Sequence, residues 1–152
     1  MSIFNVELKK VVDDTYDIEI GYNLADSLIS DLENSLVGKI KKFSVITDTN
    51  VRDPYALPIC EKIKQAGYSV DLFVFPAGEK SKSRETKAKI EDAMLAKGYR
   101  RDCCIIAVGG GTVLDLSKAV GILAKNKNKD ISHYRGLLKV RKKLPFFIAV
   151  PT

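Results

Sequence analysis

The sequence lacks any apolar run near the ~20 residues that a membrane span requires. Its first residues, Met1 to Lys10, lack the basic start and apolar block of a secretory signal. A cytoplasmic protein with no membrane partner is therefore expected. There is a single histidine, His133, in a polar stretch beside Tyr134 and Arg135, with no Cys or His cluster around it. One such residue cannot build a metal site, so a surface position is expected and no metal ligands are assigned to this chain. The three cysteines, Cys60, Cys103 and Cys104, form an odd set without metal-ligand or redox spacing. Cys103 and Cys104 open an apolar run through Val108 and read as small hydrophobes of a buried strand. Lys125, Lys127, Lys129, Lys139, Arg141, Lys142 and Lys143 hold much of the +6 formal charge. The 125–129 run has no aromatic residue among its cations and no recognisable module, so these residues do not read as a nucleic-acid surface. They read as solvated loops, or at most as a general attraction for phosphate-bearing small molecules.

What is present is an ordinary globular composition, 45% hydrophobic and 29% charged over 152 residues, enough for one domain with a real core. Tyr16 to Ile20 alternates as a strand does, and Val6-Glu7-Leu8 is placed to pair with it across Asp13-Asp14. Asn23 to Leu36 has leucines and isoleucine at helical spacing. Strands are expected at Phe43–Ile46, Val70–Phe75, Cys103–Val108 and Phe146–Val150. Helices are expected at Tyr55–Ala66, Ser83–Lys97 and Thr112 to about Ala124, the first two stopped by Gly67 and Gly98. Such alternation with short turns argues for an α/β fold, a Rossmann-like parallel sheet with helices on both faces. The chain stops at Pro151-Thr152, directly after a buried strand, where such sheets usually begin their work. The stop is expected to be a cut, with the chain forming the N-terminal domain of a two-domain enzyme.

Three loops carry chemistry. Val108-Gly109-Gly110-Gly111-Thr112 runs from a buried strand into a helix. Without Cβ atoms a ligand can approach the backbone, and the first-turn amides and helix dipole suit a pyrophosphate. The bland alternative is a plain turn, and the common G-x-G-x-x-G fingerprint is absent. Thr47-Asp48-Thr49-Asn50 follows another strand. Its carboxylate suits ribose hydroxyls, or else it caps a helix. Gly78-Glu79-Lys80-Ser81-Lys82-Ser83 follows a third strand, either contacting sugar and phosphate or serving as a solvated turn and cap. Asp115 and Lys118 are spaced for a surface ion pair. All three loops fall at strand C-termini and would line one edge of the sheet as a nucleotide crevice.

In this order, Tyr16-Asp17-Ile18-Glu19-Ile20-Gly21, Thr47-Asp48-Thr49-Asn50-Val51, Gly78-Glu79-Lys80-Ser81-Lys82-Ser83, Arg101-Asp102, Gly109-Gly110-Gly111 and Asp115-Leu116 resemble the N-terminal domain of the 3-dehydroquinate synthase family. The resemblance implies a lyase of the shikimate pathway that converts DAHP to 3-dehydroquinate with loss of phosphate. It also implies NAD as cofactor, and a divalent metal, zinc or cobalt, held by a helical C-terminal domain absent from this chain. It places Asp48 and Asn50 on the adenosine side of NAD, and Glu79 and Lys82 at its ribose. Gly110, Gly111 and Thr112 fall at the pyrophosphate, Asp115 near the nicotinamide, and Thr152 against the cofactor. Arg135 is implied as the catalytic residue that reaches the phosphorylated substrate. A homodimer is left open. Lys118, the long 115–151 stretch and Leu144–Thr152 instead resemble the iron-containing alcohol and glycerol dehydrogenases, which makes an NAD(P)-dependent dehydrogenase the alternative.

Overall fold

A computed structural model describes residues 1–7, 13, 15–100, 102–124 and 144–152. Arg135, His133 and the late cations from Lys125 to Lys143 lie outside these. Contacts divide the chain into two compact units, Met1–Leu36 and Val37–Thr152.

The first unit is a two-stranded antiparallel ribbon, β1 (Ser2–Val6) and β2 (Tyr16–Ile20), followed by helix α1 (Leu24–Glu33). β2 lies where its alternation places it, but its partner is earlier than expected. The register sets Val6 opposite Tyr16 and Ser2 opposite Ile20, so Glu7 falls beyond the pairing, and Leu8 lies outside the described residues. α1 ends at Glu33, short of Leu36. Ser35 adopts a left-handed φ of 68°, which takes Leu36 out of the apolar stripe and leaves it exposed.

The second unit is a four-stranded parallel sheet of β3 (Lys42–Asp48), β4 (Ser69–Phe75), β5 (Cys104–Gly109) and β6 (Phe146–Pro151), in the order β4-β3-β5-β6. Helices α2 (Leu57–Gln65), α3 (Arg84–Ala96) and α4 (Gly111–Ala124) connect them. Parallel neighbours joined by right-handed crossovers fix the side each helix takes. From β3 the chain steps one way to β4 and then back across β3 to β5, so α2 lies on one face and α3 and α4 on the other. The core agrees. Ile46, Phe73, Phe75, Ile105 and Ala107 meet Ile90 and Met94 of α3 and Val113, Leu116 and Val120 of α4, while α2 buries Ile59, Cys60 and Ile63 against β4. Burial on both faces explains the near-continuous apolar strands: every residue of β5 is buried.

The helix boundaries follow local chemistry. Ser83 caps α3 by accepting from the Thr86 amide at 3.1 Å. Gly67 and Gly98, at φ 88° and 75°, provide the left-handed residue after α2 and α3. The helix expected from Tyr55 begins earlier, as a π-helical turn at Arg52–Ala56 that runs into α2. Tyr99, after α3, is buried and donates to the Phe43 carbonyl at 2.7 Å and to Asp71 at 2.9 Å. Lys97 closes on the same carboxylate at 2.5 Å. This network ties the α3–β5 connection to the N-terminal edge of the sheet, opposite the loops of interest. All three cysteines are free and buried, Cys103 and Cys104 as their apolar run suggested.

One feature of pairing bears on function. β3 pairs with β4 as far as Asp48 opposite Phe75, and β5 pairs with β6 as far as Gly109 opposite Pro151. Between β3 and β5 the register ends earlier, at Ile46 opposite Ala107. This is where the strand order reverses, the position at which open α/β sheets form a crevice.

Candidate functional site

The three loops singled out in the sequence follow β3, β4 and β5, and two of them make direct side-chain contact. The Thr112 hydroxyl donates to Glu79 Oε2 at 2.7 Å. Lys82 Nζ sits 2.7 Å from Asp115 Oδ2 and 3.8 Å from Glu79 Oε1. Glu79 belongs to a 3-10 turn, Glu79–Ser81, whose buried Ser81 donates to the Pro76 carbonyl. Thr112 and Asp115 lie in the first turns of α4. The loop after β4 therefore reaches across the end of β3 to the helix that starts at the glycines.

These contacts are exposed. The side chains of Glu79, Lys82 and Asp115 retain 77%, 46% and 51% of their accessible surface, so water screens the ion pair and it holds the loop only weakly. The Asp115 hydrogen bond and charge raise the Lys82 ammonium above its ordinary pKa. Lys82 in turn lowers the Asp115 carboxyl, with Lys118 adding a smaller effect of the same sign. Asp115 thus takes its close partner from another loop rather than from Lys118 one turn along its own helix. Both groups are charged at neutral pH and free to exchange partners.

The glycines divide into two kinds. Gly109 is buried at φ 153°, and a Cβ there would lie 2.5 Å from Val113 Cγ2. The protein's own packing accounts for this residue. Gly110 and Gly111 have no left-handed φ, are exposed, and a Cβ on either would meet nothing within 4 Å. Their bare backbone is not required by the protein's own packing and leaves an open cradle at the start of α4. Gly110 O accepts from Leu114 N at 3.1 Å, opening the helix. Thr152 is brought to the same turn, its amide 3.3 Å from the Gly109 carbonyl.

Asp48 stands at the end of β3 and caps the next turn. Its Oδ1 accepts from the amides of Asn50 at 2.9 Å and Val51 at 3.0 Å. Both alternatives drawn from the sequence survive, because the cap uses one carboxylate oxygen. Asn50 lies in this turn, exposed. The structure thus brings Glu79, Lys82, Thr112 and Asp115 into contact, sets Thr152 on the Gly109–Gly111 turn, and leaves Asp48 and Asn50 on the neighbouring strand end. Arg135 is outside the described residues.

Sequence reasoning missed two threonines in this region. Thr49 receives the Ala77 amide on its hydroxyl at 3.0 Å and sends its own amide to the Phe75 carbonyl at 3.0 Å, stitching the first loop to the second. Thr47 is buried and donates across the sheet to the Val108 carbonyl at 2.8 Å. The only signal was their position on either side of Asp48.

Among the described residues, no group of three or more His, Cys, Asp or Glu side chains is arranged to hold a metal. No helix there is long and apolar enough to cross a membrane.

Against known proteins, the model of the family described as iron-containing alcohol dehydrogenase matches residues 18–152. The 3-dehydroquinate synthase of Latilactobacillus sakei is 36% identical over 102 residues, which is 67% of this chain and 28% of that protein. Among solved structures, 2-deoxy-scyllo-inosose synthase, complexed with carbaglucose-6-phosphate, NAD+ and Co2+, superposes with a TM-score of 0.72 at 20% identity, covering 99% of this chain and 35% of that one. The likeness there is one of fold. 2-epi-5-epi-valiolone synthase from Streptomyces hygroscopicus, with NAD+ and Zn2+ bound, is 26% identical with a TM-score of 0.56, over 78% of this chain and 31% of its own. The chain spans about a third or less of the length of each of these proteins.

Proposed function

The chain belongs to the iron-containing alcohol dehydrogenase family, and within that family we propose that it is the NAD-binding domain of a 3-dehydroquinate synthase-like enzyme. The activity would be a carbon–oxygen lyase reaction that converts DAHP to 3-dehydroquinate with release of phosphate. One observation carries the reading. At the reversal of strand order, Gly110 and Gly111 offer open backbone at a helix start, and Glu79, Lys82 and Asp115 gather beside it. The similarity to the Latilactobacillus sakei synthase supports this chemistry within the family.

The roles proposed are those the family resemblance implies, and the contacts among the described residues are compatible with them. The amides opening α4 would receive the pyrophosphate, with the Thr112 hydroxyl turning from Glu79 towards a phosphate oxygen. Lys82, the cation among the described members of the site, would give up Asp115 for the cofactor. Glu79 would then accept from a ribose hydroxyl, and Asp48, with its second oxygen, from the adenosine ribose. Asn50 would contact the adenosine side, and Thr152 would close the turn. Asp115 would lie towards the nicotinamide. Arg135 would bind the phosphorylated substrate. When bound, NAD supplies a hydride acceptor that is restored within each turnover. The divalent metal of this chemistry finds no ligand set among the described residues. The family resemblance places that metal in a helical C-terminal domain.

Calorimetric titration of NAD into the chain tests the site, and measurable binding is expected. The chain alone, with NAD, zinc and DAHP, should release no phosphate. Expressed together with the C-terminal part of a 3-dehydroquinate synthase, it should restore phosphate release without net NADH. A second reading, an alcohol or glycerol dehydrogenase, is favoured by the family model itself. NADH accumulating from glycerol, with no phosphate release from DAHP, would decide for that reading.

A further inference from the structure

We propose that Thr47 is a positioning residue for the dinucleotide, holding the strand end that leads into the glycine turn. The proposal rests on the NAD-binding reading above and concerns how that site keeps its shape.

The pairing of the sheet sets the problem. Beyond Ile46 and Ala107, β3 and β5 no longer pair with each other, though both remain paired on their outer sides. The next residues, Thr47 and Asp48 on one side and Val108 and Gly109 on the other, lead directly into two of the loops that form the site. A gap in the ladder at this point is what gives a ligand access between the strand ends. It also removes the backbone hydrogen bonds that would fix those ends relative to each other.

The Thr47 hydroxyl spans that gap. It donates to the Val108 carbonyl at 2.8 Å, and both residues are fully buried. Val108 is the last residue before Gly109, so this bond holds the peptide that enters the turn. From the other side, Thr152 N reaches the Gly109 carbonyl at 3.3 Å. Two successive carbonyls of the entry segment are therefore held by groups from the two flanking strands. Val113 fills the space where a Cβ on Gly109 would stand. The two held carbonyls set the orientation of the Gly110 and Gly111 amides. A buried hydroxyl is well suited to the bond on the β3 side. It reaches where the backbone ladder has stopped, and the low-dielectric surroundings keep the bond directional.

The test separates positioning from stability. NAD is titrated calorimetrically into wild type, Thr47→Val and Thr47→Ser, well below each melting temperature, with circular dichroism to confirm folding. Valine keeps the shape and removes the donor; serine keeps the donor and removes a methyl. The expected result is a roughly tenfold rise in Kd for Thr47→Val and near wild-type affinity for Thr47→Ser. A purely structural hydroxyl would lower the melting temperature of Thr47→Val and leave the Kd of the folded protein unchanged, and that result would overturn the proposal. If Thr47→Val does not fold, Thr47→Ser decides: wild-type affinity supports the hydroxyl's role, and a tenfold loss in folded protein assigns it to packing and overturns the proposal. Wild type that fails to bind NAD would defeat the site reading itself, and the proposal with it. Wild type that binds, beside an equally tight Thr47→Val, would defeat the proposal alone.

Discussion

Replacing Gly109 and Gly110 in turn should produce opposite failures, although the two are adjacent in one run of three. At Gly109, φ is 153°, in a region that only glycine enters freely; an alanine there costs on the order of 1–3 kcal/mol. Its Cβ would also stand 2.5 Å from Val113 Cγ2 and 2.9 Å from Val113 Cβ. Val113 is a fully buried residue of α4 within the core, so it has no room to swing away, and overpacking adds about 1–3 kcal/mol. Gly109→Ala should therefore lose about 2–6 kcal/mol, a large share of the ~5–15 kcal/mol of a typical domain. For a chain of this size that is roughly 5–20 °C in melting temperature. At Gly110 neither cost applies, since its φ is not left-handed and a Cβ would meet nothing within 4 Å. Gly110→Val should keep stability within about 0.5 kcal/mol and abolish NAD binding by filling the space proposed for the pyrophosphate. Thermal melts followed by circular dichroism, together with calorimetric NAD titrations, separate the two outcomes. Gly109→Ala melting within about 2 °C of wild type would refute the strain argument. A folded Gly110→Val that binds NAD as wild type does would refute the cradle.

Other outcomes follow from the same geometry. Burial pushes the Cys60 and Cys103 thiols up to about 11 and Cys104 up to about 12, so a thiol reagent at pH 8 should leave the native chain unmodified and label all three after denaturation; rapid native labelling would contradict their burial. Lys97 and Tyr99 hold the Asp71 carboxyl below its ordinary value against a smaller opposing effect of burial. Its stabilisation is present above the unfolded carboxylate pKa and is lost as pH falls through the lowered folded one. Asp71→Asn should thus cost about 1 kcal/mol at pH 7 and flatten the acid limb of the stability curve below about pH 4; an unchanged acid limb would show the network to be inert. A double-mutant cycle on Lys82 and Asp115 should show no measurable coupling in the melting temperature at physiological salt, while Lys82→Ala weakens NAD binding; the reverse pattern would make the pair structural. Asp48→Ala should weaken NAD by about 1–3 kcal/mol through the lost ribose hydrogen bond, and equal affinity would leave Asp48 as a cap alone.

The sequence by itself determined the fold class and the order of its elements. Burial on both faces forces continuous apolar runs such as 103–108, and glycines such as Gly67 and Gly98 mark helix ends, because these are short-range requirements written into neighbouring residues. It also determined that the three loops would meet at one edge, since all parallel strands point their C-termini the same way. The error at β1 arose because a two-stranded ribbon exposes both its faces. Its register then depends on the pairing of the two strands rather than on a buried pattern. Only the tertiary structure decided which glycine answers to the protein and which leaves room for a ligand. As residue types Gly109, Gly110 and Gly111 are equivalent, only the resemblance set Gly110 and Gly111 apart, and the physical difference lies in where Val113 stands. It likewise decided that Asp115 pairs with Lys82 from another loop rather than with Lys118 on its own helix. And it decided that Thr47 reaches Val108 across a gap in the ladder. The last two are contacts between segments far apart in the chain, set by how the strands are ordered in the sheet, and no local pattern of residue types carries that order.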